Sequence, residues 1–141
     1  MQEMTAAEYR SFLLDRARTA SLATVRPGGR PHVVPVWFNL DGDVVVFTTG
    51  ETAVKAKNMR HEPRVGLCID DEEPPLAFVL IEGMATMTAG DPDLLYWTTR
   101  IGGRYMGADL AETYGKRNAV EGELLVLVTP TRVVARKNIS D

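Results

Sequence analysis

Apolar residues recur along this chain with two different periods, and the switches between them mark out its elements. After Thr5-Ala6-Ala7-Glu8, a capping-box pattern, Tyr9, Phe12, Leu13 and Ala17 fall at helical spacing and predict a helix over 6–17. Period-two stretches then predict strands over 21–25 and 31–40, separated by a Pro27-Gly28-Gly29 turn. Val34, Val36, Phe38 and Leu40 line one face of the second strand, while Val33, Pro35 and Trp37 make its other face apolar too. A strand that is apolar on both sides must be covered on both, and in a small chain the second cover is another subunit or a flat ligand. Asp41-Gly42 is a two-residue hairpin signal, so 43–49 should pair with the preceding strand and complete a three-strand meander.

A short basic helix follows Gly50 and stops at Glu62-Pro63; further strands are expected over 65–70 and 76–88, joined by an acidic turn at 71–75. Gly83 inside the long strand predicts a bulge or barrel corner. Asp91-Pro92 starts a helix that Gly102-Gly103 should break, Asp109 and Glu112 begin a shorter one with Gly115 at its end, and a last strand over 123–134 is interrupted near Pro130. This order is an α+β plan built on an antiparallel barrel with flanking helices. The 141 residues, without repeats or linkers, are expected to form one domain.

Composition narrows the function. A net charge of −3 argues against general nucleic-acid binding, and no apolar run reaches bilayer length. The amino end mixes acids and arginines and does not read as a signal peptide, so a cytoplasmic location is expected. Cys68, in the apolar run Val65 to Ile69, reads as core rather than nucleophile. His32 and His61 fit no zinc spacing and the acidic turn lacks a calcium-loop pattern, so no metal is expected. No Ser-His-Asp or Cys-His arrangement is present, and no residue stands out as a catalytic proton donor; Arg104 and Tyr105 read more readily as packing.

The chemistry-bearing stretch is Thr48 to Arg64, T-T-G-E-T-A-V-K-A-K-N-M-R-H-E-P-R. Free amides at a first helical turn favour an anion, and Thr48, Thr49 and Thr52 offer hydroxyls beside Lys55. Lys55 and Asn58 share a helix face, whereas Lys57 turns away with Arg60 and His61 toward solvent.

Together with S-L-A-T-V-R-P-G-G-R-P-H-V-V-P-V-W-F from Ser21 and I-E-G-M-A from Ile81, this stretch resembles the pyridoxamine 5′-phosphate oxidase-like split β-barrel family, and within it the actinobacterial branch that uses the deazaflavin coenzyme F-420. The resemblance implies an FMN-binding split-barrel fold, a homodimer with cofactor sites at the subunit interface, and hydride transfer from reduced F-420 to an unsaturated or conjugated small-molecule substrate. It further implies that Lys55, Thr48 and Thr49 take the cofactor phosphate, that Pro35, Val36 and Trp37 border the ring, and that Lys57 and Asn58 extend the anionic side. Flavin mononucleotide (FMN) would use the same cradle, and a non-catalytic flavin, deazaflavin or haem-binding module on the same barrel is the third possibility. F-420 carries a polyglutamate tail that rewards extra cations such as Lys57; FMN ends at its phosphate.

Overall fold

The computed structural model describes residues 1–141. In chain order the elements are β1 (Gln2–Glu3), α1 (Ala6–Asp15), β2 (Ala20–Val25), β3 (Pro31–Val36), β4 (Asn39–Asp41), β5 (Val44–Gly50), α2 (Val54–His61), β6 (Arg64–Asp71), β7 (Ala77–Ala89), α3 (Leu94–Met106), α4 (Ala111–Asn118) and β8 (Glu123–Lys137). The capping box holds: Thr5 Oγ1 accepts from the Glu8 amide at 3.2 Å and Glu8 Oε1 from the Thr5 amide at 3.0 Å. α1 stops at Asp15, short of the expected 17, because Arg16 turns extended and pairs with Asp71 instead.

The strand expected over 31–40 is two strands. All pairings are antiparallel and the sheet order is β3-β2-β6-β7-β8-β5-β4, so the expected three-strand meander does not form. β3 pairs with β2, whereas β4, three residues further on, pairs with β5 at the opposite end of the sheet. One continuous stretch therefore supplies both sheet ends, and the break at Trp37-Phe38 closes the split barrel. The backbone of Phe38, outside either ladder, is satisfied from α3: its amide donates to Tyr105 Oη at 3.2 Å, and its carbonyl accepts from Arg104 Nη1 at 2.6 Å.

Gly83 does mark a bulge. Register jumps between Glu82 and Gly83 from Arg132 to Pro130, leaving Thr131 unpaired in the ladder with its hydroxyl donating to the Glu82 carbonyl. β8 thus runs through Pro130, and a Cβ on Gly83 would lie 2.6 Å from the Thr129 carbonyl oxygen.

Gly102 and Gly103 do not break α3. They let α4 approach: a Cβ on Gly102 would lie 2.6 Å from Tyr114 Cβ, and one on Gly115, which is interior to α4, would lie 2.1 Å from Thr99 Oγ1. Close packing here overrides the cost of helical glycine, about 1 kcal/mol each.

The barrel interior is filled by Leu13, Leu22, Phe38, Phe47, Leu67, Ile69, Val79 and Val126, all fully buried. Val46, on the other face of β5, packs with Trp97 and Leu125 beneath α3. The outward face across β3, β2, β6, β7 and β8 carries the registered row Pro35, Ser21, Cys68, Leu80, Val134. Cys68 therefore faces outward rather than into the core, and Val33, two residues before Pro35 on the same face of β3, is 62% exposed. No helix is long and apolar enough to cross a membrane.

Candidate functional site

β3, β5, the start of α2, α3, the end of α4 and the start of β8 converge on a cleft of about 290 Å³ lined by Pro35, Val36, Trp37, Thr48, Lys55, Thr98, Ile101, Asn118 and Glu123. Five of the residues singled out in the sequence therefore come together, namely Pro35, Val36, Trp37, Thr48 and Lys55. Trp37 is held by a parallel stack on Tyr105, with ring centroids 5.0 Å apart and planes 2° from parallel, while Tyr114 leans on it at 6.2 Å. Tyr105 is itself fixed, because its hydroxyl donates to the Arg18 carbonyl at 2.6 Å while accepting from Phe38. Arg104 and Tyr105 thus buttress the cleft wall without lining the cleft, and burial pushes the Tyr105 phenol above its ordinary pKa and the Arg104 guanidinium below its own.

The remaining expected residues lie elsewhere. Thr49 alternates inward along β5 and is 3% exposed. Asn58 is buried, and its amide donates to Thr24 Oγ1 at 3.0 Å, so it ties α2 to β2 inside the protein. Lys57 and Thr52 are exposed and outside the cleft. Conversely, Thr98, Ile101, Asn118 and Glu123 had no signal in the sequence, since each reaches the cleft only through the packing of α3, α4 and β8.

Charge separates this cleft from the largest groove. A larger groove of about 540 Å³ opens between α1 and residues 71–77, but its cations are matched, Lys137 with Glu8 and Arg18 with Asp15 and Asp71. Lys55 takes part in no ion pair of the chain. It stands in the first turn of α2, where the amides of Val54, Lys55 and Ala56 have no backbone acceptor. An unpaired ammonium beside free helix-start amides is suited to an anion such as phosphate, and the Pro35–Trp37 wall is suited to a flat ring. Nucleophilic chemistry finds no support, because burial, aided by Asp70, pushes the Cys68 thiol above its ordinary pKa.

The chain matches the family model of pyridoxamine 5′-phosphate oxidase over residues 5–137. Among solved structures, a conserved hypothetical protein of Mycobacterium tuberculosis is 24% identical with a TM-score of 0.83, covering 97% of this chain and 87% of its own. An F420 reductase is 27% identical with a TM-score of 0.68, over 87% of this chain and 94% of its own. The haem storage protein HutZ of Vibrio cholerae is 19% identical with a TM-score of 0.73, over 96% and 98%. No functionally curated protein matches the chain.

Proposed function

Because the chain belongs to the pyridoxamine 5′-phosphate oxidase family, we propose that it is an oxidoreductase holding coenzyme F-420 in the Lys55 cleft and reducing an unsaturated or conjugated small organic molecule. The observation that carries this reading is the convergence of Pro35, Trp37, Thr48 and an ion-pair-free Lys55 in one cleft. The 27% identity to an F420 reductase supports the deazaflavin over FMN. The bound cofactor, when reduced, supplies the hydride. This chain's residues bind and orient: Lys55 and the α2 amides hold the phosphate, Pro35, Val36 and Trp37 seat the ring, and the Tyr105 stack keeps Trp37 from turning. Lys57, exposed on α2, is left to attract the polyglutamate tail by charge alone.

The active unit in this reading is a homodimer. About 290 Å³ falls just below the roughly 300–1,000 Å³ of small-molecule pockets, and Pro35 belongs both to the cleft and to the exposed outward row. A second copy laid on that row would cover its apolar residues and wall in the cleft.

Fluorescence titration with F-420 and FMN at low and moderate salt tests the assignment. F-420 should bind more tightly, with a preference that weakens as salt screens the tail. Lys55→Ala, losing one charge-assisted hydrogen bond of about 1.5–3 kcal/mol, should weaken F-420 binding roughly ten- to a hundredfold. FMN binding as well as F-420 would transfer the assignment to an FMN enzyme. A folded Lys55→Ala that binds like the parent would remove the cofactor phosphate from this cleft.

A further inference from the structure

The cleft is lined by an anion as well as its cation. Thr48 Oγ1 lies 2.7 Å from Glu123 Oε2, and since a carboxylate only accepts, the hydroxyl proton is committed to Glu123 and unavailable to a phosphate. Glu123 is anchored from both sides. Its amide donates to the Val120 carbonyl at 3.1 Å, the Glu51 amide donates to the Gly122 carbonyl at 2.8 Å, and Glu123 pairs with Gly50 at the end of β5. Of the cleft-lining residues only Lys55 and Glu123 are charged, so its formal charge is zero.

We propose that Glu123 is a specificity-determining residue, one that cancels the advantage a doubly charged phosphate would otherwise gain from Lys55 and so suits the cleft to a phosphodiester. The inference rests on the cofactor reading above and deepens it. FMN ends in a phosphomonoester carrying about −1.5 to −2 near pH 7. The phosphate of F-420 is a diester bearing a single charge, linked onward to the lactyl-glutamate tail. Against a lone lysine the second charge of FMN would be rewarded. Against a Lys55–Glu123 couple, attraction and repulsion offset each other, and FMN loses its electrostatic lead.

The test uses the full chain and its Glu123→Gln variant, titrated with riboflavin, FMN, the methyl ester of FMN (the same ring on a singly charged phosphodiester) and F-420. In the parent, FMN and its methyl ester should bind equally within about twofold. In E123Q, FMN should tighten about fivefold more than the ester, the ratio that roughly 1 kcal/mol between unit charges in water-like surroundings gives, and riboflavin should not change. An FMN-to-ester ratio unaltered by the substitution, or riboflavin gaining as much as FMN, overturns the proposal. Should E123Q fail to fold, the parent decides: FMN bound more than about fivefold tighter than its ester means the second charge is rewarded and Glu123 is no filter. F-420 failing to bind the parent overturns the cofactor reading and this inference with it. F-420 binding alongside an unaltered ratio overturns this inference alone.

Discussion

Tyr105→Phe isolates the tie that holds the barrel's closing break, since it deletes one oxygen and leaves the ring stacked on Trp37. That oxygen accepts from the Phe38 amide at 3.2 Å and donates to the Arg18 carbonyl at 2.6 Å. Phe38 is fully buried, so its amide would be left unsatisfied at a cost of about 1–3 kcal/mol. Arg18 is partly exposed, and its carbonyl loses about 1 kcal/mol while water offers a substitute. The sum is about 3 kcal/mol, or about 10 °C in Tm for a chain of this length. Urea unfolding followed by tryptophan fluorescence should show a lower midpoint at unchanged slope. Tyr114→Phe is the internal control: its hydroxyl makes no hydrogen bond, its ring only leans on Trp37 at 6.2 Å, and its loss should cost under about 0.5 kcal/mol. A pH series adds a second readout. Burial raises the Tyr105 pKa above 10.0, so the neutral phenol is favoured in the folded chain. Its contribution is complete below the unfolded value and is lost as pH rises through the higher folded one. The parent should therefore lose stability above about pH 10 more steeply than Tyr105→Phe. Equal midpoints for Tyr105→Phe and the parent would refute the claim that this oxygen secures the break.

Gly115→Ala places a Cβ 2.1 Å from Thr99 Oγ1 and 2.9 Å from Thr99 Cα, so chemical denaturation should show a net loss of about 2 kcal/mol despite alanine's better helix propensity; a gain would sink the packing argument. The Lys137 ammonium and the Thr5 amide hold the Glu8 carboxyl down to about 2 from an ordinary 4.5, so its contribution is present above that ordinary value and lost as pH falls toward 2. The Tm difference between parent and Glu8→Gln should accordingly shrink across that window, and a difference constant with pH would contradict the pairing. Ser21→Arg puts a charge in the outward row between Pro35 and Cys68, and light scattering should show monomers where the parent is dimeric; a parent already monomeric at micromolar concentration would dispose of the dimer.

What could be read from the sequence was what depends on neighbours in the chain. The β4–β5 hairpin turns at Gly42-Asp43, one residue on from the expected Asp41-Gly42, and needs only a glycine with positive φ, here 61°. The capping box needs Thr5 and Glu8 three residues apart. The Gly83 bulge is local as well, although its partner, Pro130, lies far along the chain. What escaped depends on distant packing. Gly102 and Gly103 read as a helix break because isolated helices disfavour glycine, and only α4's approach makes them an asset. β1 is two polar residues whose pairing with Lys137 and Arg136 has no local cue. In the cleft, Lys55 and Thr48 could be anticipated from the turn and helix start, and Pro35 to Trp37 from the family resemblance. Asn118 and Glu123 could not, since nothing near them in sequence signals a ligand.

The break at Trp37-Phe38 was invisible for a related reason, and it matters more than the others. An apolar strand that continues in period two says which residues face in, but not that its hydrogen-bond partner changes midway. Here the change of partner does two things with the same residues. It carries the chain from β2 at one sheet end to β5 at the other, and it turns Trp37 out as the cleft wall while Phe38 stays in the core. Barrel closure and cleft formation are one structural event, and Arg104 and Tyr105 secure both from α3. The glycine contacts then extend the dependence outward. α4 sits where Gly102 and Gly115 allow, and that seat brings Asn118 to the cleft beside Thr98, whose hydroxyl donates to the Gly115 carbonyl at 2.9 Å. A substitution at the α3–α4 contact is therefore expected to act on the cleft through the position of Asn118 and the Trp37 stack, although neither Gly102 nor Gly115 lines it.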